Sequence, residues 1–458
     1  MTSAIDIHRY YGIRFARADR FEAPVREPFS GVPVEQGVPG PVAPQVPGML
    51  EQLLGAADMS MGEDCLSLNV FTPGTAHAGA ALPVLVWIHG GAYLNGSGSG
   101  PWYDGSQLAR RGVVVVTVNY RLGALGFLGA DNWGTLDQIC ALEWVRDNIA
   151  AFGGNADNVT IFGESAGGSA VLSLMAAPSA TGLFHRVIAQ SPSIRQLRTV
   201  DDAQEWESVF LQAAGVQDRD GLRSLSVEQL LAAQSEVIRM PSRNYDMFSP
   251  AAGGSGLARD ILAAAAANPV PLVIGTTRDE SRLFTMFDPQ YANGDAAIWQ
   301  TFLTGYFADR VEDARSVFES HRMGCTPAQL IAAVQTEHSF RQPAIGLAES
   351  RARSGSPTWM YWFTWSSSAF GGLLGSCHAL DIPFVFDNLT APGIDTLLGD
   401  EPGKQAIATR FADEIVEFAA KGHAAWPSYD LAGRSTLRID HECDVIEDPE
   451  TEIRRLFA

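Results

Sequence analysis

Basic residues are scarce in this chain. Its 458 residues include 32 lysines and arginines against 52 aspartates and glutamates, so the formal net charge at pH 7 is −20. An acidic surface of this kind repels phosphate backbones and anionic lipid headgroups, which argues against non-specific nucleic-acid binding and against docking on anionic membranes. No stretch approaches the roughly 18 consecutive apolar residues that a membrane-spanning helix needs, so we predict no membrane span.

Cysteine is also rare. The chain has five cysteines, and none of them forms a Cys-x-x-Cys pair. A small number without that spacing disfavours a disulfide framework and a cysteine-based metal site, so we expect free thiols in a reducing cytoplasm and no bound metal. Residues 1–8 have neither the basic start nor the apolar stretch of a secretory signal, so we expect none.

Apolar side chains are plentiful enough for a large core. Hydrophobic residues make up 46% of the chain and charged residues 18%, which excludes wholesale disorder. Pro83–His89 is a short apolar run, and Gly112–Asn119 is strongly β-branched and apolar on both faces, as parallel strands buried between helix layers are. Further strands are predicted over 158–162, 186–190 and 271–275, and helices over 135–151 and 166–177. This alternation predicts an α/β fold built on a doubly wound, mostly parallel sheet.

The second half of the chain has a more helical pattern. Residues 200–240 and 296–353 are mostly amphipathic helix in their apolar spacing. Length alone is compatible with about three domains. We instead predict a single domain over residues 1–458, in which helical insertions at about 195–268 and 282–356 cover the sheet edge and roof a pocket.

One short motif indicates chemistry. The segment Gly163-Glu164-Ser165-Ala166-Gly167 matches G-x-S-x-G, in which a serine occupies a sharp turn between a strand and a helix. The strand predicted at 158–162 precedes it and the helix predicted at 166–177 follows it, and this context distinguishes it from a chance match. Because a serine hydroxyl is a weak nucleophile at neutral pH, a nucleophilic Ser165 needs an adjacent base.

An acid and a histidine are expected to follow such a turn along the chain. Asp279 and Glu280 come just after the strand predicted at 271–275, at the sheet edge where α/β proteins place their sites. His378 follows in a loop of small residues. We therefore predict that His378 is the base and that one of the two acids is its partner. The remaining histidines are interpreted as surface or core groups, apart from His89.

A glycine-rich loop follows the first predicted strand. His89-Gly90-Gly91-Ala92 resembles the HGGG-type loops whose backbone amides stabilise a developing oxyanion. Two glycines after a strand are otherwise an ordinary turn. The serine motif favours the functional interpretation, with His89 orienting the loop.

These motifs resemble those of the type-B carboxylesterase family, which includes cholinesterases and bacterial para-nitrobenzyl esterases. The resemblance runs in the family's order through Glu63–Val70, Val84–Ala92, Asn119–Gly123, Asn132–Gly168, Gly275–Glu280 and His378–Asp387. It implies an α/β-hydrolase fold and hydrolysis of carboxylic esters without a cofactor. It also implies that Ser165 is the nucleophile, that His378 is the base and then the acid, and that Glu280 rather than Asp279 is the partner of the histidine.

The resemblance implies roles for smaller groups as well. Gly91, Ala92 and Ala166 fall at the oxyanion-hole positions, and Gly90 shapes the loop. Glu164 matches a buried auxiliary carboxylate of the family. The alternative for Glu164 is a purely structural acid.

The chain departs from the family pattern in a few places. The segment Gly12–Phe21 is shortened, which leaves the rim of the pocket unassigned, and no cysteine precedes Cys65 to form the disulfide that some relatives have there. Ser281 stands where the family has glycine, and Asp381 stands where it usually has glutamate. We expect both replacements to be tolerated.

Loops near the predicted triad supply candidates for the pocket walls. They are apolar, and each is equally a candidate for the core: Met247, Phe248, Phe284, Phe287 and Phe370. Cholinesterases carry a tryptophan for a quaternary ammonium on the loop that corresponds to residues 31–62, and this stretch contains none. We therefore predict neutral esters as substrates.

Other functions on the same scaffold are distinguishable only in part. A catalytically silent binding protein is disfavoured because the three triad residues are all present. Hydrolysis of carbamates, amides or lactones by the same machinery depends on pocket shape, which the sequence does not specify. We expect a small-molecule ester as the partner, no nucleic acid, and a monomer or small homo-oligomer.

Overall fold

A ten-stranded mixed sheet forms the centre of the computed structural model, which describes residues 6–29, 37–55, 59–240, 246–285 and 288–458. Its strands are β1 (Ile7–Arg14), β2 (Ser67–Pro73), β3 (Leu82–Ile88), β4 (Val114–Val118), β5 (Gly154–Glu164), β6 (Arg186–Gln190), β7 (Leu272–Thr277), β8 (Thr358–Phe363), β9 (Ser435–Ile439) and β10 (Asp444–Glu447). Their order across the sheet is β1-β2-β4-β3-β5-β6-β7-β8-β9-β10. Pairing is parallel from β4 to β9 and antiparallel at both edges.

Helices surround this sheet. The longer ones are α1 (Trp133–Asn148), α2 (Ala166–Met175), α3 (Val200–Ala213), α4 (Val227–Ile238), α5 (Ala296–Phe307), α6 (Val311–His321), α7 (Pro327–Thr336), α8 (Gln342–Ser354) and α9 (Lys404–Lys421). Helices of four to seven residues span Met49–Leu53, Ser106–Ala109, Gly123–Phe127, Arg219–Arg223, Ile261–Ala267, Arg282–Thr285, Pro289–Ala292, Ile382–Val385, Asp395–Leu398 and Thr451–Leu456. Two small ladders pair Ala16–Arg17 with Val25–Arg26, and Arg198–Thr199 with Ala251–Ala252.

Strand β3 shows why the centre of the sheet is apolar on both faces. Val84, Val86 and Ile88 join the hydrophobic core on one face, and Leu85 and Trp87 join the core on the other. Successive side chains of a strand point to opposite faces, so this division is the one that a strand covered by helices on both sides requires. The apolar run that predicted a buried strand here is thus divided between two cores.

The predicted alternation of strands and helices is confirmed, with shifted ends. The run predicted as a strand at 112–119 is β4, and the one predicted at 158–162 is the longer β5. The helix predicted at 135–151 begins earlier, as α1, and ends in a 3₁₀ turn at Ile149–Phe152. Gly153 follows that turn with φ 84°, a left-handed conformation that favours glycine.

The sequence also sets the starts of three insertion helices. Helices α3, α4 and α7 each begin after a Ser or Thr whose hydroxyl accepts a hydrogen bond from the amide three residues later. The side chain of that later residue accepts a hydrogen bond from the amide of the Ser or Thr. The pairs are Thr199 with Asp202, Ser226 with Gln229, and Thr326 with Gln329. This reciprocal arrangement satisfies amides that the first helical turn leaves free. Pro327 is the first residue of α7, where proline costs no hydrogen bond.

A third, smaller core lies within the later helical region. Helices α5, α6 and α7 pack there with the short helix Thr451–Leu456, and the buried side chains include Trp299, Leu303, Phe318 and Ile453. The last helix of the described chain therefore belongs to the same packed unit as the insertion predicted at 282–356.

Three further findings concern predicted features. Within the described ranges, the helices include none that is both long and apolar enough to cross a membrane. In the same part of the chain, no group of three or more His, Cys, Asp or Glu side chains is arranged to hold a metal ion. All five cysteines are free, as predicted.

Candidate active site

The Ser165 turn joins β5 directly to α2. Its backbone is in a strained conformation for a residue with a side chain, with φ 59° and ψ −122°. Glycines make the turn possible, because a Cβ on Gly163 would come 2.6 Å from the carbonyl of Gly167, and a Cβ on Gly167 would come 2.1 Å from the carbonyl oxygen of Ile88. The turn therefore packs tightly against the end of β3.

The hydroxyl of Ser165 has a partner that sequence reasoning missed. Its Oγ lies 3.3 Å from the Oγ of Ser193, and the Ser193 amide donates to the Ser165 carbonyl at 3.3 Å. The Ser165 amide in turn donates to the carbonyl of Gln190 at 3.0 Å. Ser193 follows the end of β6, beside the end of β5, and a polar residue just past a parallel strand is the signal that could have identified it.

His378 and Glu280 form a close buried pair. Nδ1 of the imidazole lies 2.6 Å from Oε2 of the carboxylate, and the other carboxylate oxygen accepts a hydrogen bond from the Thr277 amide at 2.8 Å. Thr277 ends β7, so the acid is held by the first turn after that strand. The exposed fraction is 4% for His378 and 0% for Glu280. The carboxylate is therefore fixed on the imidazole with little access for water.

Asp279, the other acid weighed from the sequence, faces a different way. Its carboxylate lies 3.1 Å from the Arg282 guanidinium and accepts a hydrogen bond from the Ser376 amide at 3.1 Å. Its own amide donates to the Ser376 carbonyl at 2.8 Å. Asp279 thus holds the loop before His378, whereas Glu280 contacts the imidazole itself.

Glu164 occupies the other side of the imidazole. Its Oε1 lies 3.1 Å from Nε2 of His378, in an ionic contact that is not aligned as a hydrogen bond. Among the described residues, the hydroxyl of Ser165 makes its side-chain hydrogen bond to Ser193 and none to His378. The structure therefore brings the three predicted triad residues to one place, with the serine hydroxyl bonded to Ser193 instead of the base.

The carboxylates around His378 set its protonation. Burial disfavours the charged imidazolium, but Glu164 and Glu280 outweigh this effect and raise the pKa of His378 above its usual 6.5. Burial raises the pKa of Glu164 as well, against the opposing influence of His378. Because these two side chains are 3.1 Å apart, they titrate as a pair.

A third acid lies behind this pair. Asp381, where the family resemblance predicts a glutamate, accepts hydrogen bonds from the Tyr361 hydroxyl at 2.9 Å and from the Gln190 side chain at 3.1 Å. It is fully buried, and burial raises its pKa from 3.8 to about 6. The shorter side chain is therefore accommodated in a hydrogen-bonded position.

The predicted oxyanion loop follows β3 and packs on the nucleophile turn. A Cβ on Gly90 would come 2.7 Å from the Glu164 carbonyl oxygen and 3.1 Å from Cβ of Ser165, so only glycine fits there. Gly91 and Ala92 have φ of 105° and 54°, and the second value is strained for alanine. The loop therefore crosses directly beside Ser165.

Three backbone amides at this point remain available. In the described part of the chain, no oxygen accepts a hydrogen bond from the amides of Gly91, Ala92 or Ala166. Ala166 is the first residue of α2, where the amides have no partner within the helix. Unpaired amides beside a serine are suited to an anionic ligand.

His89 supports the loop from below. Its Nδ1–H donates to the Gly90 carbonyl at 2.8 Å, and its ring stacks on Tyr120 at 4.4 Å. The Tyr120 hydroxyl donates to the His89 carbonyl at 2.8 Å. Burial lowers the pKa of His89 to about 4, so its ring is neutral at pH 7. The single ring proton lies on Nδ1, which donates it to the Gly90 carbonyl.

Aromatic rings cover the imidazole. The ring of Phe284, a predicted wall, is 5.2 Å from that of His378, and Phe340, which sequence reasoning missed, is 4.9 Å from it. Phe284 and Phe370 are each 44% exposed, but Phe370 lies on a turn before His378, with φ 52°, and the described residues show no ring contact between it and the imidazole. The wall candidates therefore do not share one environment.

The remaining wall candidates lie elsewhere. Met247 and Phe248 are 2% exposed and pack in the main hydrophobic core, which is the alternative weighed for them from the sequence. Phe248 contacts Phe210 edge to face at 5.7 Å. Phe287 lies outside the described residues.

Known proteins resemble this chain in sequence. The chain matches the carboxylesterase family over residues 1–452. It is 36% identical to the para-nitrobenzyl esterase of Bacillus subtilis, across 99% of this chain and 95% of that protein. The chain belongs to the carboxylesterase family. A probable N-octanoylanthranilate hydrolase of Rhodococcus erythropolis is also 36% identical, across 93% of this chain and 92% of that protein.

Solved structures agree with this membership. A carboxylesterase of Geobacillus stearothermophilus superposes with a TM-score of 0.85 at 32% identity, covering 100% of this chain and 97% of that one. A PNB esterase superposes with a TM-score of 0.84 at 33% identity, covering 100% and 96%. This carboxylesterase has the predicted α/β-hydrolase fold and is a carboxylic-ester hydrolase.

Proposed function

We propose that this carboxylesterase hydrolyses neutral carboxylic esters through a Ser165–His378–Glu280 triad and an acyl-enzyme intermediate. The observation that carries the proposal is the buried 2.6 Å contact between Nδ1 of His378 and Glu280, beside the strained turn of Ser165. A carboxylate at this distance holds the proton on Nδ1. The lone pair of Nε2 is then free to accept a proton from a hydroxyl.

The first step requires the Ser165 hydroxyl to turn from Ser193 to Nε2 of His378. The imidazole takes the hydroxyl proton as the serine oxygen bonds to the ester carbonyl carbon, and the π electrons of the carbonyl move to its oxygen. Glu280 stabilises the imidazolium that forms. The contact between Glu164 and Nε2 has to open for this approach, because both groups compete for the same nitrogen.

The negative oxygen of the tetrahedral intermediate needs hydrogen-bond donors. The unpaired amides of Gly91, Ala92 and Ala166 supply them in our proposal, and donors fixed in place before the reaction cost no reorganisation when the charge develops. As the intermediate collapses, His378 gives its proton to the departing alcohol and the acyl group stays on Ser165. Water then attacks the acyl-enzyme with His378 again as the base, and the carboxylic acid leaves as the Ser165 hydroxyl is restored. One ester and one water thus give one alcohol and one carboxylic acid.

The groups around His378 support a preference for neutral esters. The rings of Phe284 and Phe340 form an apolar surface beside His378. Residues 31–62 offer no tryptophan for a quaternary ammonium. An apolar wall favours uncharged acyl or alcohol groups, since burying an unpaired charge there costs free energy.

Covalent labelling tests the proposal. A neutral p-nitrophenyl phosphonate should form one adduct, on the peptide that contains Ser165. The variant Ser165→Ala should form no adduct, and its kcat for ester hydrolysis should be lower by about 10³-fold or more. Ser173→Ala is the matched control, because this buried serine of α2 donates only to the Ser169 carbonyl, at 2.9 Å. Hydrolysis that persists in Ser165→Ala would overturn the proposal, as would an adduct at another serine.

A further inference from the structure

A π-helical turn lies between α7 and α8 and carries one of the rings that cover the base. The turn spans Glu337–Arg341, and π turns of this kind are rare and are frequently found at functional sites. Phe340, on this turn, places its ring 4.9 Å from that of His378 at an interplanar angle of 43°. The position of the ring depends on the turn, since a change of one residue in helical register rotates a side chain by about 100°.

The start of the turn is tied to the acid of the triad. Thr336, the last residue of α7, accepts a hydrogen bond through its hydroxyl from the Ser281 amide at 3.0 Å. Ser281 directly follows Glu280. The ring of Phe284 also stacks on that of Phe340, at 6.5 Å and 9°. The residue just before the turn therefore binds the neighbour of Glu280, and the turn itself places Phe340 against His378.

The end of the turn is tied to the C-terminal segment. The Arg341 guanidinium lies 3.0 Å from Glu337 and 3.1 Å from Glu450, and it donates to the Pro449 carbonyl at 2.5 Å. It also covers the ring of Trp362 at 4.5 Å. The side chain of Arg341 is only 4% exposed, so these partners compensate a buried charge.

Glu450 joins this arginine to a second one. Its carboxylate accepts a hydrogen bond from Arg322 at 2.8 Å as well as contacting Arg341. Burial disfavours its charge, yet the two arginines keep its pKa below the usual value. Its backbone is in the left-handed region, with φ 56°, directly before the short helix Thr451–Leu456.

We infer that Glu450 is a positioning residue of this esterase, which through Arg341 fixes the π-helical turn that holds Phe340 against His378. The inference rests on the proposed function, because it assumes that His378 is the base. Removing the carboxylate leaves two buried guanidinium groups with one acid between them, and Arg341 loses one of the contacts that hold the end of the turn. A base displaced by a fraction of an ångström loses rate, since proton transfer depends on its alignment.

A double-mutant cycle separates this role from a purely structural one. Glu450→Gln keeps the shape of the side chain and removes its charge, and Phe340→Leu removes the aromatic ring. With a neutral p-nitrophenyl ester, Glu450→Gln should lower kcat about tenfold in the parent enzyme and less than twofold in the Phe340→Leu background. The loss of melting temperature caused by Glu450→Gln should be the same in both backgrounds.

Glu349→Gln is the matched control. Glu349 also contacts two arginines, Arg353 and Arg434, each at 2.9 Å, and within the described ranges none of the three forms a hydrogen bond or ion pair with the π-helical turn. This variant should lower the melting temperature and leave kcat within twofold. If Glu450→Gln does not fold, Arg322→Lys replaces it in the cycle, because lysine keeps the charge and loses the forked contact.

The outcomes distinguish this inference from the proposed function. An equal fall of kcat in both backgrounds, an unchanged kcat, or a tenfold fall in Glu349→Gln would overturn the role of Glu450. Ser165→Ala is measured alongside. Retained hydrolysis in that variant would overturn the triad itself, whatever the cycle shows.

Discussion

Replacing Glu280 by glutamine tests the central contact of the site. The carboxylate is fully buried, 2.6 Å from Nδ1 of His378, and oriented by the Thr277 amide. Glutamine has nearly the same shape, but its amide group can donate a hydrogen bond to Nδ1. The proton of the imidazole then moves to Nε2, the nitrogen that has to accept the hydroxyl proton of Ser165.

The expected fall in kcat has two causes. The variant loses the tautomer of His378 that leaves Nε2 free, and it loses the carboxylate that stabilises the imidazolium. A triad acid changed to its amide typically costs about 10⁴-fold in kcat, equivalent to about 5.4 kcal/mol in the barrier. We expect a fall of about 10³- to 10⁴-fold for Glu280→Gln, measured as kcat with a p-nitrophenyl ester under saturating conditions. The KM should change much less, because the carboxylate does not reach the substrate.

Asp279→Asn is the matched control for this experiment. Asp279 is the neighbouring acid, and it contacts Arg282 and the Ser376 amide instead of the imidazole. We expect its replacement to lower the melting temperature and to change kcat by less than tenfold. The reverse ranking of the two variants would refute the reasoning and give the role to Asp279.

Three further predictions concern the base, the serine and the substrate. Because the pKa of His378 is raised and the base acts only when neutral, activity should fall away as pH decreases through a midpoint above 6.5, and Glu164→Gln should move that midpoint to lower pH by about 1 unit or more. Ser193→Ala should speed phosphonylation of Ser165 by up to about fivefold, since it removes a competing hydrogen bond worth about 1 kcal/mol. A choline ester should have no more than about a tenfold advantage in kcat/KM over its uncharged dimethylbutyl isostere at physiological salt.

Each of these has a clear contrary result. A rate that does not vary between pH 5 and 8, or a midpoint unmoved by Glu164→Gln, would contradict the electrostatic account of His378. A fall of more than tenfold in Ser193→Ala would mean that this hydroxyl stabilises the transition state. A larger choline advantage would reveal a cation site that the sequence does not indicate.

Local patterns predicted the centre of the fold well. The run that forms β4 is β-branched and apolar on both faces, so its residues alone indicate a strand buried on both sides. The Ser165 turn was equally predictable, because Gly163 and Gly167 are required by backbone approaches within a few residues of the serine. The ends of elements shifted, as for β5, because pairing with neighbouring strands extends a strand beyond its apolar run.

Features that depend on distant contacts could not be predicted in this way. Phe340 approaches His378 because a π-helical turn is held by Arg341, whose partner Glu450 is 109 residues away along the chain. Ser193 meets Ser165 only because β6 lies beside β5. The predicted pocket walls rest on closeness along the sequence to the triad segments. Closeness of this kind does not separate Phe284, beside His378, from Met247, in the core.

The order of the strands has a consequence for synthesis of the protein on the ribosome. Ser165 is made early, at the end of β5, while the proposed acid and base come only after β7 and in the loop after β8. A chain that has emerged only as far as β6 therefore carries the nucleophile without its base, and it exposes the edge of β6 that later pairs with β7. An open edge of this kind is a site for aggregation. With the proposed triad, hydrolytic activity thus arises late, after β7 has paired along that edge, and chains that end earlier lack the proposed base and leave the edge of β6 unpaired.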